Sequence, residues 1–299
     1  MVEAPAAAPA ERAAVLYGIE AGHALPLPLV RGSVAGRQTL MVVDTGTGAT
    51  VIAGWLARSL GLATTKIVEP THDPSGRPVV MERCDEPHVR IDGFAAVADR
   101  ATPVIELPPS FESAGIGVIL SPQALASAEL AIVLDMPRKE MRRVRSRDLP
   151  SEAAAPGGTF EVEHTVLCSR PGPVFANSRL TATAIVDGVS TVLEVDTGAF
   201  GTPFFLAADT EVGRKVLARP DRIGETGLSA AGKLDVVTAR DVPVRVGSQD
   251  RRTNVTVMPG TRDAACGVEG RLGLEWLRAC VFTIGERAYR LRCEEKPAP

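Results

Sequence analysis

The sequence contains the segment VAGRQTLMVVDTGTGAT at positions 34–50 and a close copy, VDGVSTVLEVDTGAFGT, at positions 186–202. The copies lie 152 residues apart and agree at eight of 17 positions, which indicates an internal duplication. Each copy predicts a strand, a glycine-containing turn and an apolar strand that ends in Asp-Thr-Gly. The identical positions in the first copy are Val34, Gly36, Thr39, Val43, Asp44, Thr45, Gly46 and Thr50.

The duplication continues downstream of both copies. Segments that combine apolar residues with glycine and lead into a short helix occur at 117–125 and 270–277. Closing hairpins are predicted at 131–144 and 281–292. The pattern therefore predicts two homologous lobes.

We place the N-terminal lobe at residues 14–147, an exposed Pro/Gly/Ala-rich linker at 148–158 and the C-terminal lobe at 159–299. The Ala/Pro-rich residues 1–13 are predicted to be disordered. Most predicted elements are short strands bounded by turn residues, so the predicted fold class is mainly β. The predicted helices are Ala53–Leu60, Pro122–Ala128, Thr210–Leu217 and Leu274–Ala279.

Composition excludes several classes of function for this chain of 299 residues. Its formal net charge is −3, whereas a nucleic-acid-binding protein usually carries a strong basic excess, so we predict no nucleic-acid partner. The sequence contains no run of 18 apolar residues, which predicts no membrane span. The four histidines and five cysteines lack the spacing of a metal site, so we predict no metal.

The cysteines predict one disulfide and favour an oxidising compartment. Cys280 and Cys293 bracket the last predicted hairpin symmetrically, so they would face each other across it, although Cys266 is a competing partner for either. Three cysteines in the last 34 residues slightly favour a periplasmic or secreted protein over a cytoplasmic one.

An apolar strand ending in Asp-Thr-Gly, present twice in matched contexts, resembles the aspartic peptidases. The resemblance covers nearly the whole chain after about residue 20, and in detail the lobes look retropepsin-like. It implies a bilobal acid-protease fold, with two duplicated retropepsin-like β-barrel lobes and a few short helices. It also implies an endopeptidase that acts on an extended peptide or protein substrate. Such an enzyme needs no cofactor and works as a monomer, because both lobes are in one chain.

The resemblance assigns a role to each residue of the two motifs. Asp44 and Asp196 would form a pair that shares one proton and activates a water molecule. Thr45 and Thr197 would each reach across to the other lobe. Gly46 and Gly198 would allow a tight turn and a close approach of backbone N–H groups to the carboxylates. Flap-like hairpins that cover the substrate would contain the residues Ser75, Gly76, Ala231 and Gly232.

This sequence departs from the family pattern at several positions. Ser121 stands where the C-terminal lobe has Gly273, Glu194 stands where an apolar residue is usual, and neither flap contains a tyrosine. The residue after Asp-Thr-Gly is Thr47 in one lobe and Ala199 in the other. A hydroxyl at position 47 could donate to Asp44, and Ala199 offers Asp196 no equivalent. We therefore predict that Asp44 ionises first and that Asp196 keeps the shared proton.

Two other functions fit parts of the pattern. The first copy also looks like the phosphate loop of actin-like ATPases, in which glycine N–H groups surround phosphates. The short stretch after Asp196, without long predicted helices, argues against that function. A non-catalytic peptide-binding module on the same fold is the second alternative.

Overall fold

The computed structural model describes most of the chain. The described residues are 11–18, 22, 25–67, 71–72, 78–94, 101–149, 159–162, 166–170, 177–229, 232–260 and 266–294. They form a mainly β structure, which confirms the predicted class.

The strands and helices follow one another in a similar order in the two halves of the chain. The strands of the first half are β1 (Glu11–Ala14), β2 (Leu16–Tyr17), β3 (Pro28–Val34), β4 (Arg37–Val43), β5 (Val51–Ala53), β6 (Thr65–Lys66), β7 (Thr71–His72), β8 (Pro78–Val79), β9 (Met81–Cys84), β10 (Val89–Ile91), β11 (Thr102–Ile105), β12 (Ile116–Leu120), β13 (Leu130–Asp135) and β14 (Glu140–Arg145). Those of the second half are β15 (Thr159–Glu161), β16 (Val166–Arg170), β17 (Asn177–Val186), β18 (Val189–Val195), β19 (Phe204–Ala207), β20 (Arg222–Ser229), β21 (Gly232–Val246), β22 (Gln249–Met258), β23 (Gly270–Leu272), β24 (Cys280–Ile284) and β25 (Tyr289–Glu294). The helices are α1 (Gly54–Leu60), α2 (Pro109–Ser113), α3 (Glu211–Leu217) and α4 (Leu274–Leu277), with 3₁₀ turns at Gln123–Leu125 and Ser146–Asp148.

The duplicated segments fold into hairpins with the same turn. Strands β3 and β4 are joined by Ala35 and Gly36, and strands β17 and β18 by Asp187 and Gly188, with all four residues at positive φ. Two successive residues of positive φ give a turn whose twist matches that of the flanking strands. The glycine shared by the two copies therefore fixes the register of both hairpins.

The two large sheets have matching strand orders from the second strand onward. One runs β10-β3-β4-β12-β5-β11-β9-β6, and the other runs β16-β17-β18-β23-β19-β22-β21-β20. In both sheets the duplicated hairpin lies beside a parallel strand, β12 or β23, that follows later in its half. The long strand β21 pairs with both β22 and β17, so it closes the second sheet on itself.

A third sheet joins the two halves of the chain. Its order is β1-β14-β13-β24-β25-β15, so hairpin β13–β14 of the first half meets hairpin β24–β25 of the second. The central antiparallel pair places Leu134 opposite Phe282 and Ile132 opposite Ile284, and all four side chains are buried. One hydrophobic cluster runs through both halves and this sheet. The halves are therefore packed as one unit, which fixes the relative position of the two Asp-Thr-Gly segments.

Two disulfides are present among the described residues. Cys280 and Cys293 are register partners on β24 and β25 and are bonded, which confirms the predicted bridge. Cys266, the competing partner, is bonded to Cys168 instead. The remaining cysteine, Cys84, is buried as a free thiol.

Several predicted boundaries change in the structure. Residues 11–13, predicted to be disordered, belong to β1, which pairs with β14 and buries Ala13. Helices α1, α3 and α4 fall within predicted helices, but Pro122–Ala128 forms only a 3₁₀ turn and α2 was not predicted. Residues 1–10 and most of the predicted linker, residues 150–158, lie outside the described residues. In the part of the chain that is described, no helix has the length and apolar character needed to cross a membrane.

Candidate active site

The two aspartates are presented by equivalent strands. Asp44 follows directly after β4, and its backbone N–H donates to the carbonyl of Leu120 at the end of β12, at 2.9 Å. Asp196 follows β18, and its backbone N–H donates to Leu272 at the end of β23, also at 2.9 Å. Each carboxyl group is thus anchored at the point where a buried parallel strand pair ends.

Thr45 and Thr197 cross-link the two loops in a reciprocal arrangement. The Thr45 hydroxyl donates to the Val195 carbonyl at 2.6 Å, and the Thr197 hydroxyl donates to the Val43 carbonyl at 2.7 Å. Each hydroxyl also accepts the backbone N–H of the other threonine, at 3.0 and 3.1 Å. Both side chains are fully buried, so these four bonds fix the separation of the two loops.

Gly46 and Gly198 allow each loop to pack against the opposite aspartate. Their N–H groups donate to Asp44 at 2.7 Å and to Asp196 at 2.8 Å, respectively. A Cβ atom on Gly46 would lie 2.4 Å from the Asp196 carboxyl carbon, and one on Gly198 would lie 2.6 Å from an Asp44 oxygen. The crossed packing therefore requires glycine at both positions, in addition to the N–H contacts that the sequence predicted.

The carboxyl groups of Asp44 and Asp196 lie next to each other, since Gly46 donates to the first and packs against the second. Removal from water raises the pKa of Asp44 well above its ordinary value, and the charge of Asp196 raises it further. The Gly46 N–H acts in the opposite direction, and the charge of Glu194 adds a smaller increase. Two carboxyl groups in contact cannot both ionise easily, so this arrangement favours a pair that holds one proton.

The surroundings of the pair are asymmetric, in the opposite sense to the prediction. Thr47 does not donate to Asp44: its hydroxyl donates to the Ala49 carbonyl at 2.8 Å. Asp196 accepts the N–H groups of both Gly198 and Ala199 on one oxygen, and its other oxygen lies 3.3 Å from Nε of Arg271. The predicted hydrogen bond from Thr47 to Asp44 is therefore wrong, and the groups that stabilise a negative charge surround Asp196 instead.

A charged cluster that the sequence did not predict lies beside Asp196, with the buried Glu194 between two half-buried arginines. Arg271 donates to Glu194 at 3.2 Å, and the second oxygen of Glu194 is bonded to Arg179. Arg271 and Glu194 are register partners on β23 and β18. The equivalent partners in the first half, 152 residues earlier, are Ile119 and Val42 on β12 and β4. The sequence does carry a sign of this cluster, because the duplicated positions hold an apolar pair in the first half and a charged pair in the second.

The loops after β12 and β23 support the pair in different ways. The Ser121 hydroxyl donates to the Thr47 carbonyl at 2.8 Å. At the equivalent position of the second half, Gly273 leaves no room for a side chain, because a Cβ atom there would lie 2.8 Å from the Thr202 carbonyl oxygen. Gln123 is buried and donates to the Thr45 carbonyl at 2.7 Å and to Ser178 of the second half at 3.3 Å. The substitution of serine for glycine in the first half therefore adds a hydrogen bond to the Asp44 loop.

Three of the four residues predicted for the flaps lie outside the described residues, at the tips of two hairpins. Ser75, Gly76 and Ala231 lie outside the described residues, and Gly232 begins strand β21. Strands β7 and β8 pair on either side of residues 73–77, and β20 and β21 pair on either side of residues 230–231, so both predicted flaps have a hairpin base.

The site can therefore supply one carboxylate and one carboxylic acid to a shared point, with both groups held by backbone N–H donors. The sequence matches no model of a known protein family and no curated protein. The chemistry of the site has to be inferred from its geometry.

Proposed function

We propose that the protein is an aspartic endopeptidase with the bilobal acid-protease fold. The observation that carries this proposal is the close approach of the Asp44 and Asp196 carboxyls, which equivalent strands present and reciprocal threonine bonds lock. An ordinary Asp-Thr-Gly turn uses its aspartate for local hydrogen bonds and does not require a second copy in contact with it.

The geometry supports hydrolysis by an activated water molecule. The ionised carboxylate accepts a proton from the water as it attacks, and the protonated carboxyl donates a hydrogen bond to the substrate carbonyl. Burial strengthens both interactions, because fewer water molecules compete for the reacting groups. This chemistry needs only the two carboxyl groups and water.

The substrate class follows from the chemistry and from the two hairpins. We propose an extended peptide or protein segment that lies across the Asp44–Asp196 pair, with hairpins β7–β8 and β20–β21 on either side. Because one chain supplies both carboxyl groups, we propose that the monomer is active. The two disulfides favour a protein that works in an oxidising compartment.

The use of the loop N–H groups favours this function over nucleotide binding. A phosphate loop needs backbone N–H groups that point towards its ligand. The N–H groups of Gly46, Gly198 and Ala199 donate instead to the aspartates of their own loops. These N–H groups therefore bind the carboxyl pair and do not point towards a phosphate.

Replacement of either aspartate by asparagine tests the proposal. Asp44→Asn and Asp196→Asn should each lower kcat/KM for peptide cleavage by at least about 10³-fold, and the double variant should be little worse than either single one. The measurement is cleavage of a fluorogenic peptide library and of a denatured protein, with products located by mass spectrometry. Asp209→Asn changes an exposed aspartate outside the site and is the matched control.

The outcomes separate the proposal from its alternative. Wild-type activity in either single Asn variant would overturn the endopeptidase assignment. A wild-type protein that binds extended peptides but cleaves none would instead be the non-catalytic peptide-binding module.

A further inference from the structure

Arg271 is the feature of the site that the proposed reaction does not use. Its Nε atom lies 3.2 Å from an oxygen of Glu194 and 3.3 Å from the Asp196 oxygen that accepts neither Gly198 nor Ala199. Its side chain is 19% exposed, and that of Glu194 is 3% exposed. A guanidinium held at a member of the carboxyl pair stabilises the negative charge on that member.

We propose that Arg271 is a positioning residue that makes Asp196 the ionised member of the pair and leaves the shared proton on Asp44. The inference rests on the proposed function, because it assigns the two roles of that reaction to particular aspartates. Asp196 would thus always act as the base and Asp44 as the acid when the reaction begins.

The charged groups around Asp196 differ in sign: the neighbouring carboxyls disfavour its ionisation, and the Arg271 guanidinium favours it. Asp44 faces it from the loop after β4, Glu194 from β18, Arg271 from β23, and Arg179 approaches Glu194 from β17. Glu269, which precedes β23, accepts the Thr191 hydroxyl at 2.8 Å. Among the described residues, Arg271 is the cation in contact with the pair, and its contact is with Asp196.

Glu194 holds Arg271 in place. One oxygen of Glu194 binds Arg179 and the other binds Arg271, so the guanidinium lies between two carboxylates. Burial lowers the pKa of Arg271, but the carboxylates of Asp196 and Glu194 more than offset this, and the pKa lies above its ordinary value. Arg271 therefore stays charged wherever the carboxyl pair titrates.

The first half of the chain provides an internal comparison. The positions equivalent to Glu194 and Arg271 are Val42 and Ile119, so the Asp44 side has an apolar pair in the same register. The Asp44 carboxyl also accepts a hydrogen bond from Gly46 only, among the N–H groups described, whereas Asp196 accepts two. Both differences place the negative charge on Asp196.

The assignment gives each proton a path. The oxygen of water bonds to the substrate carbonyl carbon, its proton moves to Asp196, and the Asp44 proton moves to the carbonyl oxygen. When the C–N bond breaks, Asp196 returns its proton to the leaving nitrogen and one hydroxyl of the intermediate returns a proton to Asp44. The products are a carboxylic acid and an amine, and the pair again holds one proton.

The test compares Arg271→Met, Arg271→Lys and the control Ile119→Met, which alters the equivalent position beside Asp44. Arg271→Met should move the acidic limb of the kcat/KM–pH profile upward by about 1–3 pH units, since loss of an adjacent arginine removes stabilisation of the anion. Arg271→Lys should retain most of the wild-type profile, and Ile119→Met should leave both limbs in place. An acidic limb that does not move in Arg271→Met would overturn the inference.

A second variant covers the case in which Arg271→Met fails to fold. Glu194→Val combined with Arg271→Ile installs the apolar pair of the first half and leaves the net charge unchanged. It should raise the acidic limb by less than Arg271→Met, because a nearby negative charge is lost together with the positive one. An unchanged acidic limb in this variant would also overturn the inference.

A spectroscopic measurement separates this inference from the proposed function. In protein labelled with ¹³C at the aspartate carboxyl carbons, signals of Asp44 and Asp196 are assigned from the two Asn variants. The wild type should show a protonated Asp44 and an ionised Asp196 over the range in which the pair holds one proton, and Arg271→Met should reduce this difference. The result is readable without cleavage, so absent activity would refute the endopeptidase alone, and a protonated Asp196 would refute the role of Arg271 alone.

Discussion

Gly198 shows at the scale of one residue how closely the two loops approach. A Cβ at this position would lie 2.6–2.9 Å from the Asp44 carboxyl atoms, too close for the carboxyl to remain in place. Gly198→Ala should therefore lower kcat/KM by about 10²-fold through displacement of Asp44. It should also lower the free energy of unfolding by about 1–3 kcal/mol through overpacking.

The matched control for the change in stability is Gly224→Ala, because a Cβ there meets no atom within 4 Å and its φ is not positive. Chemical denaturation of both variants and kinetics of Gly198→Ala check the prediction. Equal losses of stability in the two variants would show that a Cβ at Gly198 does not disturb the crossed packing.

Residue identities predicted the contacts of some side chains and not of others. The resemblance predicted that Thr45 and Thr197 reach across between the loops, and both do. It gave no means of placing the Thr47 hydroxyl, because a threonine in a loop can bond a nearby carbonyl as readily as a side chain. The Ala49 carbonyl, two residues further on, takes that hydrogen bond.

At the scale of elements, hairpins were predictable and their partners were not. Alternating apolar residues and turn residues located β13–β14 and β24–β25, and the symmetric cysteines located the bridge across the second hairpin. Periodicity shows which face of a strand is buried but not which distant strand pairs with it. The antiparallel contact of β13 with β24, which unites the two halves, therefore emerges only from the structure.

The two disulfides should contribute unequally to stability. Cys280–Cys293 spans 13 residues of a hairpin, and Cys168–Cys266 spans 98 residues. In the chain-entropy model a loop of about 15 residues gives about 3 kcal/mol and one of about 100 residues gives about 4.7 kcal/mol.

We expect the double replacement of Cys168 and Cys266 by alanine to lower the free energy of unfolding by about 1–2 kcal/mol more than that of Cys280 and Cys293. Denaturant unfolding of the oxidised variants gives the comparison, and peptide mapping without reduction checks the remaining bridge. The reverse order would indicate that hairpin geometry outweighs loop length.

At the scale of the whole molecule, the duplication builds a symmetric frame and the charges make it asymmetric. Matching strand orders, matching turns and reciprocal threonine bonds bring two equivalent aspartates together. Glu194 and Arg271 then distinguish them, since the first half has apolar residues at both equivalent positions. Two carboxyl groups in contact cost stability when ionised, so the asymmetry should also be visible in how stability depends on pH.

Asp44 should destabilise the folded protein at neutral pH. Its pKa in the fold lies well above the ordinary value of 3.8, so the folded state binds the proton more tightly than the unfolded chain does. Protonated Asp44 therefore adds to the free energy of unfolding. This contribution is fully present below pH 3.8 and is lost as the pH rises through the raised pKa that Asp44 has in the folded protein. Asp44→Asn removes this loss, so the variant should be more stable than the wild type at neutral pH, by about 1.4 kcal/mol for each unit of pKa elevation.

Asp196→Asn should act in the opposite direction, because it leaves Arg271 without one of its two carboxylate partners. Denaturation midpoints of the wild type and both variants, measured across the acidic and neutral range, give the comparison. If the two substitutions change stability equally at neutral pH, the two aspartates are electrostatically equivalent and the charged cluster does not distinguish them.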